Sequence, residues 1–318
     1  SVLQGGELGK KSLMYTITDD KSNKDVPSGM SVLEARQHYI DMWGDASRKL
    51  PLPQFENFGD KVVLRADLVP GGFKAMAAEK VIRDSPKDTL VYCAPRQGHA
   101  PDAIATLAKI FGKRVVFFLP ASKKPSDHQA ALLSYDNVEL RFVRIAAMPV
   151  LNKYAREWAE RNGAHFLPFG LSGDPSVTSG IVHGLSTLAG DGTLFPSVWC
   201  AVSTGTMIRA AQIAWPMTKF YGVAVARNMK PGEIGEATMY PTTMPFLRRH
   251  PDTETIPFPT TGAYDSKAWF RFTDEAPPGS LFINVGSDDQ INRNLNLVDV
   301  SSIDSQREWG DMRDCRDE

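Results

Sequence analysis

Apolar strands alternate with amphipathic helices along most of this chain, and this alternation limits the fold more than any other feature of the sequence. Residues 115–119 are apolar at every position, which is typical of a strand buried on both faces of a parallel sheet. The helix predicted over residues 101–111 begins at Pro101 and ends before Gly112, two residues suited to a first helical turn and a C-cap. The pattern predicts an α/β fold with mainly parallel sheets and helices on both faces.

The same alternation extends over the rest of the chain. Further strands are predicted at residues 62–64, 90–94, 138–143, 166–169, 198–202, 220–225 and 281–285. Further helices are predicted at residues 73–83, 126–134, 149–162, 176–189 and 206–215. Two regions lack such a pattern: residues 228–262 are rich in Pro, Thr and Met, and residues 305–318 are charged and predict a solvated tail.

The composition excludes several classes of protein. A formal net charge of -1 over 318 residues gives no overall attraction to nucleic acid or anionic membranes. Three cysteines without a Cys-x-x-Cys pair make a poor disulfide framework, and the histidines lack the spacing of metal ligands. No apolar run reaches the roughly 18 residues of a membrane span, and residues 1–6 lack a signal pattern. We therefore expect a cytoplasmic protein with no metal site and no membrane contact.

Ligands of open parallel sheets bind beyond the carboxyl ends of the strands, so the loops there carry the candidate site. The first such loop, residues 69–75, places Gly71 and Gly72 before Lys74 at the start of an apolar helix. Two glycines allow a sharp turn close to a ligand. Partial burial lowers the pKa of an amine and suits Lys74 to Schiff-base chemistry. The alternative is a solvated lysine at a helix start.

The second loop, residues 94–100, joins a buried strand to a helix, so its backbone N–H groups can face an anion. Its side chains suit a carboxylate ligand, and a histidine can move a proton near neutral pH. The alternative is an ordinary turn with exposed polar residues. The candidate substrate-binding residues are Arg96, Gln97, Gly98 and His99.

The third loop lies between an apolar strand and a helix and has the character of a phosphate cradle. Hydroxyl groups, backbone amides and the helix N-terminus all favour an anion there. The alternative is a plain N-cap, where Ser and Thr are common, and no Walker motif is present. The candidate phosphate-binding residues are Ser203, Thr204, Gly205 and Thr206.

In their order and spacing, these loops resemble those of the fold-type II, tryptophan-synthase β-like family of pyridoxal-phosphate enzymes. The string Gly72-Phe73-Lys74 is similar to the family's lysine motif, and the later loops to its substrate and phosphate loops. Tyr264-Asp265-Ser266-Lys267 is similar to a Tyr-x-x-Lys string of the D-cysteine desulfhydrase and aminocyclopropane-carboxylate deaminase branch. The resemblance covers roughly residues 60–290.

The resemblance implies a two-domain enzyme that binds pyridoxal 5'-phosphate. Residues 1–75 and 168–318 would form a large cofactor-binding domain, and residues 76–167 a small domain with the substrate loop. Lys74 would hold the cofactor as a Schiff base and move the α-proton. Residues 203–206 would bind the phosphate, and residues 96–99 the substrate.

The resemblance also implies roles for three later residues and a subunit arrangement. Tyr264 would lie near the cofactor or substrate, and Asn284 or Ser287 would meet the pyridine nitrogen. A homodimer is expected. The sequence departs from the family pattern in two places, because the substrate loop lacks the usual Ser and Asn, and the phosphate loop has a single glycine.

The predicted function is that of a lyase or deaminase in amino acid metabolism, which carries out α,β-elimination or β-replacement on a small amino acid. One alternative is decarboxylation or elimination on an amino acid attached to a larger substrate such as a modified nucleobase. The unusual substrate loop and the basic cluster Arg248-Arg249-His250 motivate it, although such a cluster is typical of a solvated turn. Another alternative is a scaffold that has lost the cofactor, which the single-glycine loop motivates.

Overall fold

The predicted α/β architecture is present in the computed structural model, which describes residues 22–120, 125–143, 147–230, 232–241 and 244–298. The helices are α1 (Val32–Trp43), α2 (Gly72–Arg83), α3 (Ala100–Ile110), α4 (Asp127–Ala131), α5 (Met148–Arg161), α6 (Pro175–Ala189), α7 (Thr206–Ala214), α8 (Asp265–Glu275) and α9 (Asp288–Leu295). The strands are β1 (Gln54–Phe58), β2 (Lys61–Arg65), β3 (Thr89–Cys93), β4 (Arg114–Pro120), β5 (Val138–Val143), β6 (His165–Phe166), β7 (Ser197–Val202), β8 (Lys219–Ala224), β9 (Thr238–Tyr240) and β10 (Leu281–Asn284).

The strands form two separate sheets. A six-stranded sheet has the order β1-β2-β10-β7-β8-β9, and a four-stranded sheet has the order β5-β4-β3-β6. All pairs are parallel except β1 with β2, which form an antiparallel hairpin. The four-stranded sheet lies within the range predicted for the small domain, while the two-domain boundaries themselves stay a prediction.

Apolar side chains cover both faces of each sheet. The largest buried cluster joins α2, α3, α6 and α7 to one face of each of the two sheets. A second cluster packs α8 on the opposite face of the six-stranded sheet, through Trp199, Trp269 and Phe282. A third packs α5 on the opposite face of the four-stranded sheet. The run of apolar residues in β4 follows from this burial on both faces, as predicted.

Most predicted elements are present within a few residues of their predicted ends, and the strand predicted at residues 166–169 is the main correction. That strand ends at Phe166, and a 3-10 turn, Phe169–Leu171, follows it. Pro168 has no N–H for a sheet ladder, and Gly170 and Leu171 have positive φ angles of 68° and 57°. This turn contacts the candidate site described below.

Several elements were not predicted from the sequence. Helix α1 begins with a capping box in which Ser31 and Glu34 bond each other's backbone N–H, a signal readable in the sequence. Strand β9 lies in the region 228–262 that had no clear pattern, and α8 and α9 follow it. The tail predicted at residues 305–318 lies outside the described residues. Among the described helices, none combines the length and apolar character needed to cross a bilayer.

The sheet topology brings the predicted loops together. Strands β2, β10 and β7 are parallel neighbours, so their carboxyl ends lie at the same edge. The loops after them are residues 66–71, 285–287 and 203–205. The lysine loop and the phosphate loop therefore meet at the edge where ligands of parallel sheets bind.

Candidate functional site

Two glycines with positive φ shape the turn before Lys74. Gly71 and Gly72 have φ angles of 75° and 63°. A Cβ atom on Gly71 would lie 2.6 Å from Ala103 Cα, and one on Gly72 would collide with the carbonyl oxygen of Val285. The adjacent Phe73 N–H donates to that same oxygen at 2.8 Å. The glycines thus let the start of α2 pack directly against α3 and the end of β10.

The Lys74 side chain is half-buried, and its amine has one hydrogen-bond acceptor among the described residues. Nζ donates to the carbonyl oxygen of Gly170 at 3.2 Å. Burial, and secondly the nearby positive charge of Arg209, lower the pKa of Lys74 to about 8. The amine therefore has a substantial neutral fraction near physiological pH, which nucleophilic attack on a carbonyl requires.

The phosphate-type loop, residues 203–206, lies beside Gly170, whose carbonyl oxygen accepts from the Lys74 amine. Gly205 is the N-cap of α7 with φ 76°, and the hydroxyl oxygens of Thr204 and Thr206 are 3.1 Å apart. A Cβ on Gly170 would lie 2.7 Å from Thr204 Cγ2, so the turn that holds the Lys74 amine also contacts this loop. The first N–H groups of α7 have no partner inside the helix and favour an anion.

Tyr264, at the start of α8, lies near the loop 203–206. It is the N-cap residue of α8, and the backbone N–H of Ser203 is near enough to its phenol to oppose the rise of its pKa. Burial raises the pKa of Tyr264, with the neighbouring Asp265 as a second cause. The phenol is therefore neutral at physiological pH and lies near Ser203 of the phosphate loop, while its nearness to the cofactor stays a prediction.

His99 joins the predicted substrate loop to the six-stranded sheet. Its Nε2 is hydrogen-bonded to the hydroxyl of Thr261 at 2.8 Å, and its ring packs 3.0 Å from the position of a Cβ on Gly286. Nδ1 is buried without a partner among the described residues. Burial, and secondly His128, lower the pKa of His99 to about 3. The ring is therefore neutral at pH 7, whereas the sequence suggested proton transfer near that pH.

The rest of the substrate loop is more open. Arg96 is exposed, and Gln97 and Gly98 are half-buried. The backbone N–H of Gly98 donates to His128 Nδ1 at 3.4 Å. Arg96 makes no ion pair within the part of the chain that the structure describes, so its guanidinium is available to a ligand.

The two residues predicted to meet the pyridine nitrogen have other partners. Both amide hydrogens of Asn284 are used, one by Asp67 Oδ1 at 2.8 Å and one by the carbonyl of Pro259 at 2.9 Å. Its oxygen accepts from Thr260 at 2.8 Å. Ser287 is the buried N-cap of α9, where Gln290 accepts from its backbone N–H at 3.2 Å. Asn284 therefore has no amide hydrogen left for a ligand.

Asp265 is a buried acid at the site that the sequence did not single out. The side chain is fully buried, and Oδ2 accepts from the backbone N–H of Val285 at 3.1 Å. Oδ1 has no partner among the described residues. Burial is the main cause that raises the pKa of Asp265 well above its ordinary value. The carbonyl oxygen of Val285 accepts from the Phe73 N–H, so Val285 links the Asp265 carboxyl to the turn before Lys74.

No group of three or more His, Cys, Asp or Glu side chains suited to hold a metal occurs within the described ranges. The polar groups at the site instead comprise an amine, a helix N-terminus, a neutral imidazole and an acid with a free oxygen. Such a set can bind a ligand that carries both an anion and an aldehyde, and its amine and acid can donate or accept protons.

The fold matches solved structures of enzymes. The processed form of threonine deaminase isoform 2 from Solanum lycopersicum has a TM-score of 0.61 and 14% identity, covering 90% of this chain and 100% of that chain. An ACC deaminase homologue has a TM-score of 0.63 and 16% identity, covering 82% and 99%. A pyridoxal 5'-phosphate-dependent aspartate racemase has a TM-score of 0.58 and 12% identity, covering 83% and 96%.

These similarities are of structure and not of sequence. No protein-family model matches the chain, and no curated protein sequence is detectably similar to it. At such low identities the shared feature is the fold, which is that of the fold-type II enzymes. The resemblance read from the sequence is confirmed at that level.

Proposed function

We propose that this protein is a pyridoxal-phosphate-dependent enzyme that acts on an amino acid through Lys74. The observation that carries the proposal is the position of the Lys74 amine, whose pKa is lowered to about 8 and whose acceptor Gly170 packs on the phosphate-type loop. The fold supports it, because threonine deaminase, an ACC deaminase homologue and a pyridoxal-phosphate-dependent racemase share it.

The chemistry of the site fits each part of this cofactor. The amine of Lys74 suits its aldehyde, and the hydroxyls and amides of residues 203–206 suit its phosphate. The free oxygen of Asp265 suits the pyridine nitrogen, since a buried acid gains a partner there. In this assignment Asp265 takes the role that the sequence gave to Asn284 or Ser287.

Pyridoxal phosphate, when bound, supplies an electron sink for bonds at the α-carbon of an amino acid. The residues of this chain then orient and move protons. Lys74 would hold the cofactor and, with its amine free, would remove or return the α-proton, because its lowered pKa leaves it partly neutral near pH 7. Asp265, whose raised pKa favours its protonated form, would give its proton to the ring nitrogen, and the resulting carboxylate would favour a protonated ring. His99 is neutral and would orient the substrate through Nδ1, while Nε2 stays hydrogen-bonded to the hydroxyl of Thr261.

α,β-Elimination is the reaction we propose first: the α-proton and a β-leaving group are lost, and water then hydrolyses the product to a 2-oxo acid and ammonia. Deaminases are prominent among the structures that share the fold. The racemases with this fold use the same class of substrate, so products must be identified. A 2-oxo acid with ammonia supports elimination, and an inverted amino acid without ammonia supports racemisation.

The basic cluster that motivated an amino acid attached to a larger substrate, such as a modified nucleobase, has partners within the protein. Arg249, in the basic cluster 248–250, pairs with Asp288 at 2.5 Å and Glu254 at 3.2 Å. His250 stacks on Phe270 with ring centroids 4.2 Å apart. The adjacent cavity of about 400 Å³ also carries Asp289. Carboxylates on this rim repel phosphates, and we therefore favour a free amino acid.

The scaffold alternative rested on the single glycine of the phosphate loop. Gly205 is the position where the backbone requires glycine, because a Cβ there would collide with the carbonyl of Glu233. One glycine is enough for this geometry. The homodimer that the resemblance implies and the cytoplasmic location inferred from the composition stay predictions, and the mass of the protein in solution tests the former.

The test of the proposed function is reduction of the protein with borohydride after addition of pyridoxal phosphate, followed by peptide mapping. The adduct is expected on Lys74, with a visible absorbance band that Lys74→Ala abolishes. Lys267 is a matched control, because burial also lowers its pKa to about 8, but its amine donates to the carbonyls of Pro245 and Phe246. Equal labelling of both lysines, or no band, would contradict the proposal.

A further inference from the structure

A buried arginine lies directly beneath the phosphate-type loop. Arg209, in the first turn of α7, has no exposed surface. Its Nη1 donates to the carbonyl oxygens of Thr204 at 3.2 Å and Glu233 at 2.5 Å. These two bonds join the phosphate-type loop to the segment before β9. A buried charge so placed costs desolvation energy unless it is paired.

The pairing charge comes from the beginning of the described chain. Asp25 Oδ2 lies 2.8 Å from Arg209 Nε, and its side chain is 7% exposed. Asn23 donates to the carbonyl oxygen of Arg209 at 2.8 Å, and Tyr39 donates to the carbonyl of Asp25 at 2.6 Å. The segment 23–25 is therefore fixed against α7, and its one carboxylate, that of Asp25, pairs with the guanidinium of Arg209.

Arg209 also acts on the other half of the site. Nη2 lies 3.5 Å from the hydroxyl of Ser172, which belongs to the turn that presents Gly170 to Lys74. The positive charge of Arg209 is the second cause of the lowered pKa of Lys74. One guanidinium thus contacts the phosphate-type loop and the lysine-holding turn, and its charge reaches the amine.

We propose that Arg209, held by Asp25, is a positioning residue that preorganises loop 203–206 for a phosphate monoester and sets the electrostatic environment of Lys74. This inference rests on the proposed function. Arg209 acts from beneath the loop and touches neither the phosphate nor the substrate. Its charge strengthens the positive potential of the helix N-terminus. Its hydrogen bonds hold the loop in an ordered conformation before a ligand binds, so less conformational entropy is lost on binding.

Two measurements separate the effect of Arg209 on phosphate binding from its effect on the Lys74 amine. Pyridoxal phosphate and pyridoxal differ only in the phosphate, so the ratio of their dissociation constants reports the loop. We expect Arg209→Gln to reduce the preference for pyridoxal phosphate by at least about tenfold. Arg209→Lys, which keeps the charge, should recover part of it. An unchanged preference in Arg209→Gln would overturn the proposal.

The amine is followed separately in the cofactor-free protein, through the pH dependence of Lys74 acetylation by acetic anhydride, read by mass spectrometry. Arg209→Gln should shift the midpoint to higher pH, because a like charge is removed. Asp25→Asn should shift it to lower pH, because the charge on Arg209 is no longer offset. General loosening of the site would shift both variants upward, and that result would contradict the proposal.

Folding is controlled with the double variant Asp25→Asn/Arg209→Gln, which leaves no unpaired buried charge. It should regain thermal stability relative to Arg209→Gln but not the preference for pyridoxal phosphate. Recovery of the preference as well would show that Arg209 is merely structural. If the unaltered protein binds neither probe, the proposed function fails, and the two opposite acetylation shifts alone decide whether Arg209 sets the environment of Lys74.

Discussion

The amine of Lys74 and the carbonyl oxygen of Gly170 are 3.2 Å apart, although the two residues are 96 positions apart in the sequence. The bond aims the lysine at the turn that follows β6, and Tyr92 holds that turn through a hydrogen bond from the Gly170 N–H to its hydroxyl at 3.1 Å. Gly170 also packs on Thr204. A small change at Gly170 should therefore disturb the lysine and the phosphate loop together.

Gly170→Ala should reduce stability and cofactor binding. The new Cβ would lie 2.7 Å from Thr204 Cγ2 in a backbone with φ 68°. The strained backbone costs about 1 kcal/mol, and crowding adds about 1–3 kcal/mol. Gly173→Ala is a matched control, because its φ is 80° and nothing lies within 4 Å of its Cβ position. Urea unfolding and titration with pyridoxal phosphate measure both effects; equal behaviour of the two variants would argue against the contact.

The parts of the site that depend on neighbouring residues in the chain were predictable from the sequence. The paired glycines before Lys74 and the Ser-Thr-Gly-Thr string at the start of α7 act through local backbone geometry, and the structure places both at one sheet edge. Residues 115–119 of β4 and 198–202 of β7 are apolar because both faces of these strands are buried, and these two runs predicted the fold class.

The parts that depend on distant contacts were not predictable. Asn284 is the last residue of a buried strand, where a ligand-binding residue can lie, but Asp67 is 217 positions away in the sequence and accepts one of its amide hydrogens. The Arg209–Asp25 pair spans 184 positions. Asp265 carried a weak signal, since it is a charged residue between Tyr264 and an apolar helix face. Its burial and free oxygen become visible only in the folded chain.

The rate at which the protein captures pyridoxal phosphate should depend on pH through Lys74. The neutral amine is the nucleophile, and its pKa of about 8 replaces the ordinary 10.5. The rate should rise with pH up to about 8 and level off above it, because the amine is then neutral. Stopped-flow absorbance measures this profile. A rate that continues to rise toward pH 10 would show an ordinary, solvated lysine.

The same shift has a consequence for the stability of the cofactor-free protein. Between about pH 8 and 10.5 the unfolded lysine binds a proton that the folded lysine has lost, so the contribution of Lys74 to stability rises with pH across this window. Lys74→Met should remove that rise and be more stable below pH 8. Urea midpoints at pH 7 and pH 9 for both proteins provide the measurement.

Asp265→Asn should keep the fold and lose most of the activity. The amide oxygen can still accept from the Val285 N–H, and the acid with its raised pKa loses no ion pair. The proposed acidic partner of the ring nitrogen is removed, so we expect turnover to fall by about a hundredfold or more, with the cofactor still bound. Asp191→Asn, on an exposed turn, is the control and should retain full activity.

The raised pKa of Asp265 also predicts a pH dependence without cofactor. An acid whose folded pKa exceeds its unfolded value stabilises the folded state fully below the unfolded pKa, and this stability is lost as pH rises through the folded pKa. The window therefore opens above the ordinary value of 3.8. The decline in urea midpoint with rising pH should be smaller in Asp265→Asn. An identical decline in both proteins would place the titration elsewhere.

Thr261→Val should weaken substrate binding more than catalysis. The hydroxyl of Thr261 is the partner of His99 Nε2, and His99 already has an unpartnered Nδ1 within the described part of the site. Loss of the hydroxyl leaves the ring without a partner, which costs about 1–3 kcal/mol and frees the loop 96–99 from the six-stranded sheet. We expect KM for the amino acid to rise several-fold with a smaller change in kcat. Thr255→Val, at an exposed threonine, is the matched control, and a fall in kcat at constant KM would instead assign His99 a role in the chemical step.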